Sequence, residues 1–218
     1  MNSSTSGEMG AAPLTHMRAR PSPRAGFSST GSVFSSTSAR TPASAEITHS
    51  FLGLGKANQA VIVAEDGTVQ WKFEKPASDG WVLPSGNVLL ALYPTGGFPG
   101  GGVVEVDRET KKIIFQYQGQ QKEISTVQPL PKGQFLVAEL GPEPRALVID
   151  RKGKILKSTP LQCQTNNFHM QTRMLRVLPN GNYIAPHLLD FAVKEYDPDT
   201  GKVLGTFPTD DRGREKRD

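Results

Sequence analysis

The chain concentrates a histidine and two arginines within one short segment, at His169, Arg173 and Arg176. An imidazole can transfer a proton near neutral pH or act as a nucleophile. Guanidinium groups bind anionic groups through paired hydrogen bonds. The segment therefore predicts a site that binds an anionic group or acts on it. A structural interpretation stays open beside it, with the histidine hydrogen-bonded between neighbouring elements and the arginines in ion pairs.

Three further residues are candidates for a metal or acid–base cluster, namely Glu139, His187 and Asp190. Carboxylates and imidazoles are the usual groups for proton transfer, and both can bind transition metals. These residues would form one site only if the ends of two separate strands converge. No local motif in the sequence assigns a metal to them.

Other familiar chemical motifs are missing from the sequence. Cys163 is the only cysteine, which excludes an internal disulfide and a Cys-x-x-Cys metal site. Its sequence neighbours include no base or cation that would activate the thiol, so we expect a free thiol in a loop. The glycine-rich residues 96–102 lack the Lys-Ser/Thr of a phosphate loop and precede a strand pattern. We interpret them as a loop between repeat units.

The elements that must position these side chains follow from a turn pattern, Leu-Pro-x-Gly-Asn/Gln, that occurs three times. Its copies occupy residues 83–87, 130–134 and 178–182, and successive prolines are 47 and 48 residues apart. Proline fixes φ at the first corner of a turn and glycine accepts a positive φ at a later one. A short apolar run follows each copy, so each copy predicts a β-hairpin.

A second repeated pattern, strand–acidic turn–strand, alternates with the first. Its copies occupy residues 61–71, 104–115, 147–156 and 193–204. Aspartate can cap such a turn, and glycine supplies the left-handed residue. Two alternating hairpins in a period of this length make one four-stranded antiparallel blade of a β-propeller. We therefore predict an all-β propeller with about three and a half blades, built on hairpins near 61–91, 104–138, 147–185 and 193–207.

The register of the repeats indicates which side chains line a central channel. Trp81, Gln128 and Arg176 share one position, two residues before the repeated leucine. Their differing chemistry suits a row that faces the channel of a propeller, whereas their Leu and Val neighbours suit the core. The segment that contains His169 leads into the innermost strand of its repeat, so His169 is also predicted at the channel.

The repeated turns, taken with their Asp-x-x-Gly and Leu-Pro-Asn-Gly-Asn wording, resemble the quinoprotein-like propeller superfamily. That superfamily includes arylsulfotransferase-like and pyrroloquinoline-quinone-type repeat proteins, and the resemblance covers roughly residues 50–207. It is closest to bacterial propeller proteins of uncharacterised function. The resemblance implies secretion or a periplasmic location, and it makes pyrroloquinoline quinone with Ca²⁺ a possible cofactor. It also implies a channel histidine as nucleophile or acid–base group, a role that His169 matches in placement only.

The repeat count predicts an incomplete propeller. The chain holds about three full repeats and the first hairpin of a fourth, whereas propellers typically close with four to eight blades. We interpret the chain as a fragment or a truncated product. Self-association through the open blade edges is the alternative.

Residues 1–45 differ in kind from the rest, with 11 Ser, 5 Thr, four Arg and one acidic residue. Such a composition buries too little apolar surface to fold, so we predict a disordered tail. Whether it is instead a transit peptide or a misassigned start is left open, and it contains no intact signal peptide. Residues 46–218 hold 21 basic and 20 acidic groups. That near-neutral balance gives no support for nucleic-acid binding, and no apolar run is long enough for a membrane span.

Two functions remain from the sequence. The first is a non-catalytic scaffold that binds a ligand or partner, either a small molecule or a protein. The second is a quinoprotein-like or arylsulfotransferase-like enzyme that uses His169 with its nearby arginines. Because propellers support many unrelated functions, the fold alone does not choose between them.

Overall fold

The chain folds into antiparallel β-sheets joined in sequence order, as described by a computed structural model for residues 49–209. The first sheet contains β1 (Phe51–Gly53), β2 (Ala60–Val63) and β3 (Val69–Phe73). The second contains β4 (Ala77–Val82), β5 (Val88–Leu92), β6 (Gly102–Val106) and β7 (Ile113–Gln118). The third contains β8 (Glu123–Leu130), β9 (Gln134–Leu140), β10 (Arg145–Ile149) and β11 (Ile155–Pro160). The fourth contains β12 (Arg176–Val177), β13 (Tyr183–His187), β14 (Ala192–Tyr196) and β15 (Val203–Pro208).

The predicted fold class is confirmed, because three sheets have four strands in chain order and one has three. The strand order corrects the predicted position of the incomplete repeat. Residues 193–207 do not open a fourth, incomplete repeat; β14 and β15 complete the fourth sheet together with β12 and β13. The incomplete sheet is the first one, whose three strands match the last three of each later sheet. The predicted tail, residues 1–45, lies outside the described residues.

The proline–glycine turns take the geometry that their sequence predicts. In the first copy the amide of Leu83 donates to the Asn87 carbonyl at 2.8 Å, and Gly86 has a φ of +89°. The third copy repeats both features with Leu178, Asn182 and Gly181. The middle copy differs, because residues Pro131–Gly133 form a short 3-10 turn in which Lys132 also has a positive φ.

The acidic turns are capped by their aspartates. A carboxylate oxygen of Asp107 accepts hydrogen bonds from the hydroxyl and the amide of Thr110, which hold the pKa of Asp107 below its ordinary value. The sequence gives this turn no glycine, and Lys111 instead adopts the left-handed conformation at φ +59°. Gly201 takes that position in the equivalent turn of the fourth sheet, four residues after Asp197.

The hydrophobic core is divided among the interfaces between successive sheets. We call the face of a sheet that packs on the next sheet its front face, and the opposite face its back face. Front-face residues of the second sheet, Leu89, Ala91 and Val103, are fully buried against the third sheet. Their register equivalents in the third sheet, Leu136, Ala138 and Ala146, are buried in the same way against the fourth. One register pattern thus builds each interface, as expected of stacked propeller blades.

The glycine-rich residues 96–102 lie within the second sheet, between β5 and β6, and not between two sheets. The interpretation as a loop between repeats was therefore wrong. Phe98 anchors this connection in the core between the first two sheets, where it is buried. In residues 49–209 no helix has the length and apolarity that crossing a membrane requires.

Candidate functional site

Five polar and aromatic side chains from all four sheets meet in one group, which we call the four-sheet cluster. Its members are Lys56, Tyr93, Glu123, His169 and Arg173. In an antiparallel sheet the start of one strand and the end of its neighbour lie at the same edge. The cluster residues follow β1, follow β5, begin β8 and precede β12, so all lie at corresponding ends of their sheets.

Glu123 is the buried centre of the four-sheet cluster. Its two carboxylate oxygens accept from Arg173 Nη1 at 2.7 Å and from His169 Nδ1 at 2.8 Å. The Glu123 side chain is 4% exposed, whereas that of His169 is 33% exposed. A buried carboxylate is stable only when it is paired in this way, so Glu123 fixes the positions of the other two side chains.

Charged groups surround both ring nitrogens of His169. A carboxylate only accepts, so Nδ1 must carry a proton to bond to Glu123, although Arg173 Nη2, which only donates, also lies 2.7 Å from the same nitrogen. Arg173 Nη2 donates to the His169 carbonyl at 2.7 Å. The second ring nitrogen, Nε2, lies 3.1 Å from Lys56 Nζ, whose ammonium can donate to it. The imidazole is therefore held on both sides, with Nε2 on the side of the exposed Lys56.

Tyr93 adds an aromatic surface to the group. Its ring centroid lies 5.4 Å from Lys56 Nζ and 5.9 Å from the guanidinium carbon of Arg173. It also lies 6.0 Å from the ring centroid of His169. Two cations thus flank one ring at distances typical of cation–π contacts.

Arg176 has a different role from the one that its spacing predicts. It does not join His169 and Arg173; its guanidinium pairs with the carboxylate of Asp79 at 2.9 and 3.1 Å. The same carboxylate accepts from the amide of Val127 at 3.1 Å. Asp79 therefore joins residues of the second, third and fourth sheets, and Arg176 also lies over the ring of Trp81.

The predicted row of Trp81, Gln128 and Arg176 does share one register, since their strand partners are Leu89, Leu136 and Ile184. Two of these side chains bond to the inner strand of the next sheet. Trp81 Nε1 donates to the Val127 carbonyl at 2.7 Å, and Gln128 accepts from the Val177 amide at 3.0 Å. These contacts tie adjacent sheets together.

The proposed cluster of Glu139, His187 and Asp190 does not form. Glu139 is fully buried and pairs with Arg145 in its own sheet, at 2.7 to 2.8 Å. Asp190 pairs with Lys194 at 2.6 Å. Within residues 49–209, no group of three or more His, Cys, Asp and Glu side chains is arranged to hold a metal ion. The prediction failed because each strand end finds its partner locally.

His187 is instead the centre of a buried neutral network. It is 2% exposed; Nδ1 donates to the Gln171 carbonyl at 2.9 Å, and Nε2 accepts from the Tyr196 hydroxyl at 2.7 Å. Burial lowers the pKa of His187. Cys163 Sγ lies 3.2 Å from Nδ1, but burial, followed by the charge of Asp190, raises the pKa of its thiol to about 12. Cysteine and histidine therefore meet here as neutral groups, which does not favour a thiolate nucleophile.

Sequence reasoning found His169 and Arg173 but missed Lys56, Tyr93 and Glu123. A partial signal for Glu123 was available, because this charged residue opens the strand Glu123–Leu130, whose first five residues are all buried. Lys56 lies in the loop between β1 and β2, and Tyr93 in the loop between β5 and β6; neither loop contains a repeated sequence pattern. Their roles follow only from how the sheets stack.

Comparisons with known proteins support the fold and no finer assignment. No family model matches the chain, and no curated protein matches it. A crystal structure of a protein of unknown function from Bacteroides caccae is similar, with a TM-score of 0.64 and 21% identity. The match covers 74% of this chain and 58% of that one.

The WD40 β-propeller domain of Doa1 is also similar, with a TM-score of 0.55 and 14% identity over 73% of this chain and 50% of that one. The chain thus spans 58% of the length of the first neighbour and half that of the second. At this level of identity the likeness concerns architecture alone. The chain has a β-propeller type of fold, as far as residues 49–209 extend.

Proposed function

We propose that the chain is a non-catalytic binding scaffold of the β-propeller class, with its ligand site at the four-sheet cluster. One observation supports this most strongly: each of the four sheets contributes a side chain to one partly exposed group. The blades of a propeller surround a central channel, so one end of every blade can contribute to a single site there. Loops and strand ends that converge without being required by the core are typical places for function.

The charges of the cluster favour an anionic ligand. Lys56 and Arg173 are both cations, while Glu123 is the one carboxylate among the five residues. Lys56 is exposed, and its ammonium has further donors beyond the contact with His169. The ring of Tyr93 offers an apolar surface beside these cations. A small carboxylate with a flat apolar body would match both features, whereas an acidic side chain of a protein partner would match the cations alone.

The quinoprotein-like assignment is a proposal that rests on the sequence resemblance. The described residues do not fit pyrroloquinoline quinone with Ca²⁺, because calcium needs six to eight oxygen ligands. The four-sheet cluster has one carboxylate, and His169 and Arg173 already occupy it. We therefore assign no role to this cofactor. Secretion or a periplasmic location stays a prediction from the same resemblance.

An enzyme of arylsulfotransferase-like type is the second candidate, favoured by the hydrogen bond between Glu123 and His169 Nδ1. A carboxylate that orients an imidazole in this way leaves Nε2 as the group for proton transfer or attack. In this chain Lys56 lies at Nε2. Lys56 would have to move before His169 could act, which makes the binding role our first proposal.

Benzoate and acetate provide a direct test of the binding role. Each would be titrated at constant ionic strength while the thermal unfolding midpoint is measured. A ligand at ten times its Kd stabilises the folded state by about 1.4 kcal/mol. We expect a saturable rise with benzoate that exceeds the rise with acetate, because only benzoate can also contact Tyr93.

The Lys56→Ala variant should lose most of this rise, since it removes the exposed cation of the cluster. Lys112→Ala is the matched control, because Lys112 is an exposed lysine in the turn between β6 and β7. A benzoate response that is equal in both variants would count against the site. For the catalytic alternative, a His169→Ala variant that retains any detected activity would remove that residue from the mechanism.

A further inference from the structure

The front face of the fourth sheet repeats the pattern that forms the interfaces between the other sheets. Ile184 is the register equivalent of Leu89 and Leu136. These three residues pair with Arg176, Trp81 and Gln128 respectively, which share one position in the repeat. Pro186 and Val193 pair with each other as Ala138 and Ala146 do in the third sheet. The fourth sheet thus presents the same kind of apolar side chains at the same positions.

These equivalent residues differ in burial. On the second and third sheets they are essentially fully buried, whereas Ile184, Pro186 and Val193 keep part of their surface exposed. Phe207 extends the same face and is 53% exposed. The equivalent residue of the second sheet is Tyr117, which is buried in the interface with the third sheet. Exposed apolar surface of this kind typically marks an interaction site.

A carboxylate on the same face is positioned to receive a cation. In the second sheet, Glu105 Oε1 accepts from Asn87 at 2.9 Å, and Oε2 accepts from Arg151 of the third sheet at 2.5 Å. Glu195 is the register equivalent of Glu105. Its Oε1 accepts from Asn182 at 2.6 Å, just as Glu105 does from Asn87.

The second oxygen of Glu195 has no partner among residues 49–209. The hydrogen bonds from Asn182 and Asn180 hold the pKa of Glu195 below its ordinary value, so the carboxylate is charged. The fourth sheet therefore has the acceptor half of the contact that links the second sheet to the third.

We propose that this front face is an interface for a further propeller-type sheet that presents an arginine to Glu195. The apolar residues would pack on the back face of that sheet, and the arginine would occupy the place that Arg151 has in the contact with Glu105. Both the register and the charge define this partner. It is an antiparallel sheet with a basic residue in the turn between its last two strands.

The first sheet of a second copy would not meet this requirement. In the turn between β2 and β3, the amide of Ala64 donates to the Thr68 carbonyl. In the third sheet, the amide of Asp150 donates to the Lys154 carbonyl in the same way, so Ala64 is equivalent to Asp150. The residue that follows Ala64 is Glu65, at the position of Arg151. Head-to-tail contact between two copies would bring Glu65 close to Glu195, and like charges at such an interface are unfavourable. We therefore expect the native chain to remain monomeric at this face.

A charge reversal at Glu65 tests the proposal with the full chain. Glu65→Arg places an arginine on the back face of the first sheet, in the position of Arg151. We expect analytical ultracentrifugation to show concentration-dependent association of this variant but not of the native chain. Glu109→Arg is the control, because Glu109 is an exposed acid in the turn of the second sheet and the net charge changes equally. That control should sediment as a monomer.

Combining Glu65→Arg with Glu195→Gln should restore the monomer, because the acceptor for the new arginine is gone. A Glu65→Arg variant that stays monomeric at every concentration would overturn the proposal. So would association that survives the Glu195→Gln change. Association of the native chain to the same extent would show that a second copy occupies the face without an arginine, which contradicts the partner chemistry inferred here.

Discussion

At the scale of single residues, burial separates two histidines that look alike in the sequence. His169 lies in an ionic group, bonded to Glu123 and Lys56, and is one-third exposed. His187 lies among neutral groups and is almost fully buried. The first can meet a ligand, while the second stabilises the fourth sheet. Their surroundings, and not their types, define what each can do.

Burial of His187 predicts a dependence of stability on pH. Because its pKa in the folded state is below the ordinary value of 6.5, the unfolded chain binds a proton more readily. The contribution of neutral His187 to the free energy of unfolding should therefore be fully present above pH 6.5 and should decrease as the pH drops below that value. The loss from one such group is at most about 1.4 kcal/mol per pH unit.

Urea unfolding midpoints measured from neutral pH down to about pH 5 would show this loss, at pH values above the ordinary pKa of the carboxylates. His187→Gln should flatten the curve over that range, because no proton is then taken up on unfolding at this site. His49→Gln is the control, since His49 is exposed. A native midpoint that does not change with pH would contradict the prediction.

At the scale of the elements, local turn chemistry explains why the sheets could be predicted from the sequence. The Leu-Pro-x-Gly-Asn copies and the aspartate turns contain their own hydrogen-bond partners, so each hairpin follows from adjacent residues. The four-sheet cluster could not be predicted as a whole. His169 and Arg173 share one segment, whereas Lys56, Tyr93 and Glu123 come from three other sheets and depend on how the sheets stack.

The turn between β6 and β7 predicts a stabilising substitution. Lys111 adopts a left-handed conformation at φ +59°, which is unfavourable for a residue with a Cβ. Lys111→Gly should relieve this strain and raise the free energy of unfolding by about 1 kcal/mol. The urea midpoint measures the change.

The opposite substitution, glycine to a residue with a Cβ, can be made in the turn of the third sheet for comparison. Gly153 has a φ of +76°, and a Cβ there would meet nothing closer than 3.9 Å. Gly153→Ala should therefore lower the free energy of unfolding by about 1 kcal/mol through backbone strain alone. If the two substitutions shifted the midpoint in the same direction, strain would not be the cause.

At the scale of the whole molecule, polar contacts link sheets that do not follow one another in the chain. Arg176 of the fourth sheet and Asp79 of the second form a two-point ion pair, although 97 positions separate them. The third sheet joins the same carboxylate through the Val127 amide. The apolar interfaces connect each sheet only to its neighbour, so this pair couples the second and fourth sheets in a way that the core does not.

A double-mutant cycle on Asp79→Asn and Arg176→Gln should measure that coupling. The side chains are 6% and 22% exposed, so solvent screens the pair weakly. We expect an interaction energy of about 1.5 to 3 kcal/mol from urea unfolding, because residues that share one buried network are not additive.

Lys157 and Asp199 provide the comparison, since they also join two sheets but are more exposed, at 38% and 76%. A cycle on Lys157→Gln and Asp199→Asn should give less than about 1 kcal/mol, as is usual for exposed ion pairs. The difference between the two cycles isolates the effect of burial, because both contacts join an anion to a cation on separate sheets. Equal coupling energies would mean that burial does not strengthen the Asp79–Arg176 pair, and a value near zero would mean that Arg176 lies near Asp79 without stabilising the arrangement.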